Sequence, residues 1–87
     1  MPIDELIALA SIRSGKKKKA LASEMGHADE TRLSKLASGR LKADASEIVF
    51  LAAAAKLDPI KVLAEIESER HPELAGVWGN LITSAAL

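Results

Sequence analysis

Lys16, Lys17, Lys18 and Lys19 are four consecutive cations, and Arg32, Lys35, Arg40 and Lys42 follow them downstream. Between and beside these lie Glu30, Thr31 and Ser34, short polar side chains that can donate or accept hydrogen bonds. Ammonium and guanidinium groups pair with phosphate oxygens. Arg or Lys also matches the O6 and N7 acceptors of guanine, Ser and Thr bond base edges or phosphates, and a carboxylate can accept from cytosine N4. The chemistry these residues offer is recognition of a polyanion. Lys16, Lys17, Lys18, Lys19, Arg40 and Lys42 are candidates for phosphate contact, and Glu30, Thr31, Arg32, Ser34 and Lys35 for the edges of bases.

Bond-making chemistry has no comparable set of residues. Nothing supplies a nucleophile together with its base, so no enzyme activity is expected. His27 and His71 are far apart in sequence and there are no cysteines, so neither a metal site nor a cofactor is expected. Both histidines read as turn or cap residues.

A polar reading surface needs a frame to hold it. From Lys16 to Lys42 the chain reads as two short helices joined by a tight turn. The first carries Leu21, Ala22 and Met25, and Gly26 follows as a C-terminal residue in the left-handed conformation. The second turns Leu33, Leu36 and Ala37 inward, is opened by Ala28 or Asp29, and is stopped by Gly39. Asp29 reads mainly as its cap, because an acidic residue stabilises a helix N-terminus. Two helices about a tight turn, one face apolar and the other basic, form a helix-turn-helix.

The rest of the chain reads as more helix. A first helix is expected over Ile3–Arg13, ended by Ser14-Gly15. Asp44 with Glu47 three residues on is a capping-box start for a fourth, IVFLAAAA, apolar almost all round and expected at the buried centre. Asp58-Pro59 is an N-cap and first-position pair opening a fifth, with Ile60, Leu63 and Ile66 on one face. His71-Pro72 starts a sixth, whose Leu74, Val77, Trp78, Leu81 and Ile82 form a continuous stripe. That stripe either packs inside the molecule, against helices one and five, or forms a dimer interface around an aromatic anchor.

At 87 residues this is one domain, small enough that a dimer or a tight helical core would help it. The formal net charge is zero, but it is divided. Residues 1–42 hold nine Lys/Arg and five Asp/Glu, net +4, and residues 43–87 hold three and seven, net −4. A basic working face on an acidic support is consistent with a polyanion partner. No apolar run approaches the roughly 20 residues of a membrane span, and MPIDELIALA lacks the basic start of a signal peptide.

On the residues KALASEMGHADETRLSKLASGR, with Leu21-Ala22, Gly26, Leu33, Ser34, Leu36 and Gly39 at core and turn positions, the chain resembles the Cro/CI-type helix-turn-helix family. DASEIVFLAAAAKLD is similar to that family's fourth helix, and GHADETRLS…SGR with AEIESERHPELAGVW resembles small DNA-binding proteins of bacteriophages, filamentous ones especially. The resemblance covers about residues 3–70. It departs from the family in an interval from Gly26 to Leu33 one residue longer, and in Asp29-Glu30 where the family often has Gln. The resemblance implies an all-α, five- to six-helix lambda-repressor-like fold. Residues 1–70 would be the helix-turn-helix domain, with 71–87 a C-terminal amphipathic helix of the same compact unit. It also implies sequence-specific operator binding, usually as a homodimer, with the third helix in the major groove. The expectation is a phage- or prophage-type repressor acting on double-stranded DNA in the cytoplasm of a bacterial host, with no membrane and no small-molecule ligand. The alternative is a protein-interaction or antitoxin-like module on the same scaffold, engaging its partner through the acidic half and the Trp78 helix.

Overall fold

The computed structural model describes residues 1–85, with side chains through Leu81. The described residues form α1 (Ile3–Ser14), α2 (Lys18–Glu24), α3 (Thr31–Ala37), α4 (Ala45–Ala54), α5 (Pro59–Arg70), a 3-10 turn (Pro72–Leu74) and α6 (Ala75–Ala85). The protein is all-α, as expected.

α4 is the hub, packed between α1 and α5. Its capping box is complete: the Asp44 carboxylate accepts from the Glu47 N–H at 2.9 Å, and the Glu47 carboxylate accepts from the Asp44 N–H at 3.0 Å. Ile48, Leu51, Ala52 and Ala55 have no exposed surface. Ala53, however, faces solvent, and Phe50 and Ala54 are half-buried, so one flank of this helix stays at the surface.

α1 supplies Leu6, Ile7 and Ala10 to the core and touches α2, α3 and α4. Fully burying a Leu or Ile is worth about 1.5–3 kcal/mol, so these side chains anchor the bihelical unit to the rest. Two arginines tie ends of elements across the fold. Arg13 Nη1 donates to the Ala55 carbonyl at 3.0 Å, closing the end of α4. Arg70 Nη1 donates to the Ala43 carbonyl at 2.7 Å, holding the loop between α3 and α4.

α5 begins as expected, with the Asp58 carboxylate accepting from the N–H groups of Ile60 and Lys61 ahead of Pro59. Its inward face differs from the expected one. Val62, Ala64 and Ile66 are buried, Leu63 is half-buried, and Ile60 is 45% exposed. Apolar residues stand at five of the seven positions 60–66, so spacing alone permits more than one inward face; packing against α4 selects Val62 and Ile66, one turn apart.

α6 packs on α5 and the 3-10 turn. Among the described residues it makes no contact with α1, so the two-sided internal packing considered for this helix is met on one side only. The sixth helix also begins later than expected, because Pro72–Leu74 form a separate 3-10 turn. The radius of gyration is 13.2 Å, a little above the roughly 12 Å of a tightly packed chain of this length, as befits a helix added to the flank of a five-helix core.

Candidate nucleic-acid interface

The turn between α2 and α3 closes in a Schellman arrangement. The His27 N–H reaches the Ala22 carbonyl at 2.9 Å and the Gly26 N–H reaches Ser23 at 3.0 Å. Gly26 has φ +86, a left-handed value that a side chain makes costly. Asp29 then caps α3: its Oδ1 accepts from the Thr31 N–H at 2.9 Å. The Thr31 hydroxyl and N–H hold the Asp29 carboxyl below its ordinary range. Glu30, directly before α3, is exposed and makes no capping bond.

α3 has only seven residues. Leu33 and Leu36 are buried, and Thr31, Ser34 and Lys35, at i, i+3 and i+4, are exposed on another side. Ser38 is turned back on the helix, its hydroxyl donating to the Lys35 carbonyl at 3.1 Å.

Arg32 stands apart from the other expected base-facing residues. Its Nε donates to Glu47 Oε2 at 2.7 Å and its Nη2 to Glu47 Oε1 at 2.6 Å. Both prongs of the guanidinium are spent on one carboxylate of α4, and the side chain is only 34% exposed. The two prongs that would meet guanine are engaged here by Glu47, so a base contact by Arg32 would require that carboxylate to be exchanged for the base.

Glu47 is the residue that sequence reasoning missed at the site. It was legible as half of a capping box, yet its side chain is 6% exposed and gathers three elements. Besides the Arg32 fork and the Asp44 N–H, its Oε2 lies 3.5 Å from His27 Nε2, a buried nitrogen with no hydrogen-bond partner among the described residues. The Arg32 bonds hold the Glu47 carboxyl below its ordinary range against burial, which pushes it up, and the Asp44 N–H adds to the lowering. The Asp44 carboxyl is lowered chiefly by the Glu47 N–H and then by the Ser46 hydroxyl. Glu47 in turn raises the Arg32 guanidinium. No local pattern marks this pair: the residues are fifteen apart, in different helices.

The lysine run lies where helix α2 begins, with Lys17 in the capping position and making no side-chain cap. Cations there oppose the helix dipole by about 0.3–1 kcal/mol each. Lys16 Nζ is tied to Glu24 Oε1 at 2.6 Å, spanning α2 from before its start to its end. Lys17, Lys18 and Lys19 are exposed and form no ion pair among the described residues, and the same holds for Lys35, Arg40 and Lys42.

These cations border separate depressions of the surface. Lys16, Lys17 and Lys19 line one with Ala20 and Ser23. Thr31, Arg32 and Lys35 line a second with His27 and Leu41. Lys42 lines a third, beside Asp4, Ser38 and Arg70.

Of the expected dimer stripe, Leu74 is 45%, Val77 56% and Leu81 51% exposed, while Trp78 is half-buried. The Ile82 side chain lies outside the described residues. α6 carries no charged residue along its whole length. Among the described residues no helix is long and apolar enough to cross a membrane.

Comparison of the chain with family models, with curated proteins and with solved structures finds no match in any of the three.

Proposed function

We propose that the protein binds duplex DNA, with α2, the Gly26 turn and α3 as a helix-turn-helix and α3 entering the major groove. The observation that carries this reading is the division of α3: Leu33 and Leu36 pin it to the core while Thr31, Ser34 and Lys35 are exposed on its outer side. That is what a reading helix requires. Thr31, Ser34 and Lys35, with Glu30 at the helix start, face the bases. Lys17, Lys18, Lys19, Arg40 and Lys42 contact phosphates, and Lys16 joins them by exchanging Glu24 for a phosphate. The lysines at the start of α2 support the same reading, since they cost stability locally and, for Lys17, Lys18 and Lys19, find no ion-pair partner among the described residues.

The protein acts as a homodimer through Leu74, Val77, Trp78 and Leu81, placing two α3 helices about 34 Å apart on successive turns of the groove. Occupancy of an operator by such a dimer represses transcription, a phage- or prophage-type role carried out in the bacterial cytoplasm, where the genome lies. Selection of bound sequences from a random duplex pool tests this, with binding followed from low to high salt. A defined site and a steep salt dependence are expected.

The half-exposed, uncharged α6 supports a second reading, a protein-interaction module. If the purified protein shifts no duplex even at low salt, that reading takes the place of the first.

A further inference from the structure

We infer that Glu47, a residue on α4 that touches no DNA, sets the sequence specificity of α3 through Arg32. This rests on the DNA-binding reading above.

α3 is seven residues long, about 10 Å of helix. Isolated helices of this length do not hold themselves, so its pose comes from its contacts. Leu33 and Leu36 are its buried anchors. They are three residues apart and leave the helix able to rock about the line that joins them. The Arg32 fork supplies a further fixed point. Two parallel N–H···O bonds, 2.7 and 2.6 Å long, fix direction as well as distance.

The other end of the clamp is rigid. The Glu47 carboxylate is buried, also accepts from the Asp44 N–H, and belongs to the residue whose own N–H is held by the Asp44 carboxylate. The first turn of α4, closed on itself by the capping box, is thus the frame against which α3 is aimed. Arg32 lies one position from Thr31 and three from Lys35, so any tilt released at the clamp moves the outward side chains directly. Bonds to base edges hold only within a few tenths of an ångström. The lysines at the start of α2 lie outside the clamp, and their phosphate contacts do not depend on it. Specific binding and general DNA affinity are therefore separable by substitution.

The test measures the ratio of affinities for the selected site and for random duplex, at one salt concentration, in the parent, Arg32→Lys and Glu47→Gln. Lysine keeps the charge but cannot span both oxygens. Glutamine keeps the shape but loses the charge, and leaves Arg32 intact. Both variants are expected to lose at least about tenfold in the ratio, the scale of one base contact, with random-duplex affinity and its salt dependence within about twofold of the parent. The double variant should lose no more than the worse single, because both remove one interaction. If Arg32 reads a base itself, Glu47→Gln leaves the ratio unchanged or raises it while Arg32→Lys lowers it, and the clamp is overturned. An unchanged ratio in both variants overturns it too. Should Glu47→Gln unfold, as judged by its circular dichroism, Glu47→Asp and Arg32→Lys carry the comparison, since each keeps its charge but is too short or too narrow to form the two-pronged contact. If the parent binds no duplex at all, the DNA reading fails with it, an outcome distinct from a specific parent whose variants stay specific.

Discussion

The carboxylate of Glu47 receives two parallel hydrogen bonds from Arg32, at 2.7 and 2.6 Å, and so joins the third helix to the fourth across the loop between them. Because the same carboxylate completes the Asp44 capping box, helix initiation in α4 and the pose of α3 share one acid.

That sharing makes the protein acid-sensitive at a defined place. The Glu47 and Asp44 carboxyls both titrate lower in the folded chain than in the unfolded one, by the Arg32 bonds and the Glu47 N–H respectively. The folded state therefore holds fewer protons than the unfolded state. The stability is fully present above the unfolded value of about 4 and is lost as pH falls through the lowered folded values. Melting temperatures recorded from pH 6 down to pH 2 should fall below about pH 4, and the fall should be shallower in Glu47→Gln.

Lys56 ends α4 with φ 59, a left-handed value reached by no other non-glycine residue among those described. It sits in the same closure as Gly26, with the Leu57 N–H on the Ala52 carbonyl at 2.9 Å. A non-glycine residue held left-handed costs about 1–2 kcal/mol. Lys56→Gly is expected to stabilise the protein by about 1 kcal/mol, and Gly26→Ala to destabilise it by a similar amount. Chemical denaturation of the two variants checks both signs.

Replacing Lys17, Lys18 and Lys19 by Ala should move binding and stability in opposite directions. Affinity falls for every duplex, and the slope of log K against log salt shrinks by roughly 3, one for each phosphate contact removed. Thermal stability is unchanged or rises, since cations leave a helix start that disfavours them. A variant that binds random duplex as the parent does would remove these lysines from the interface.

Leu81→Asp and Val77→Asp target the flank that α6 leaves open. Both side chains are more than half exposed and outside the central core, so the folded monomer should persist. Sedimentation is expected to show a concentration-dependent dimer in the parent and a monomer in the variants. The parent's melting temperature should rise with concentration, and the variants' should not.

Leu36→Ala tests the anchor rather than the clamp. Leu36 is 2% exposed, and removing a buried leucine costs about 2–5 kcal/mol. Loss of helicity on warming should come earlier in this variant.

What could be read from the sequence was whatever local chemistry decides. Asp44 with Glu47, Asp58 with Pro59, and the glycines after α1, α2 and α3 each act on backbone groups within a few residues, and the helix ends fall where those residues place them. The exposed Thr31, Ser34 and Lys35 followed from the same logic, once Leu33 and Leu36 were assigned inward. Two features were not legible. The inward face of α5 had more than one apolar solution, and only contact with α4 chooses between them. The engagement of Arg32 depends on a partner fifteen residues away in another helix, and an arginine beside Thr31 and Lys35 reads by itself as one more outward cation. Tertiary partners are invisible to spacing, which is why the Glu47 contact of Arg32 could not be read from the sequence.

The position of α1 in the fold has a consequence for the order in which the protein can form. Leu6, Ile7 and Ala10 pack beneath α3 and α4, whose residues are synthesised some tens of positions later. At about 5–20 residues per second, the apolar side of α1 waits several seconds on the ribosome for Ile48 and Leu51 to follow it. Until then α2 and α3 have only α1 to rest on and Arg32 has no carboxylate to meet, so the two helices reach their final pose late, together with the element that carries Glu47.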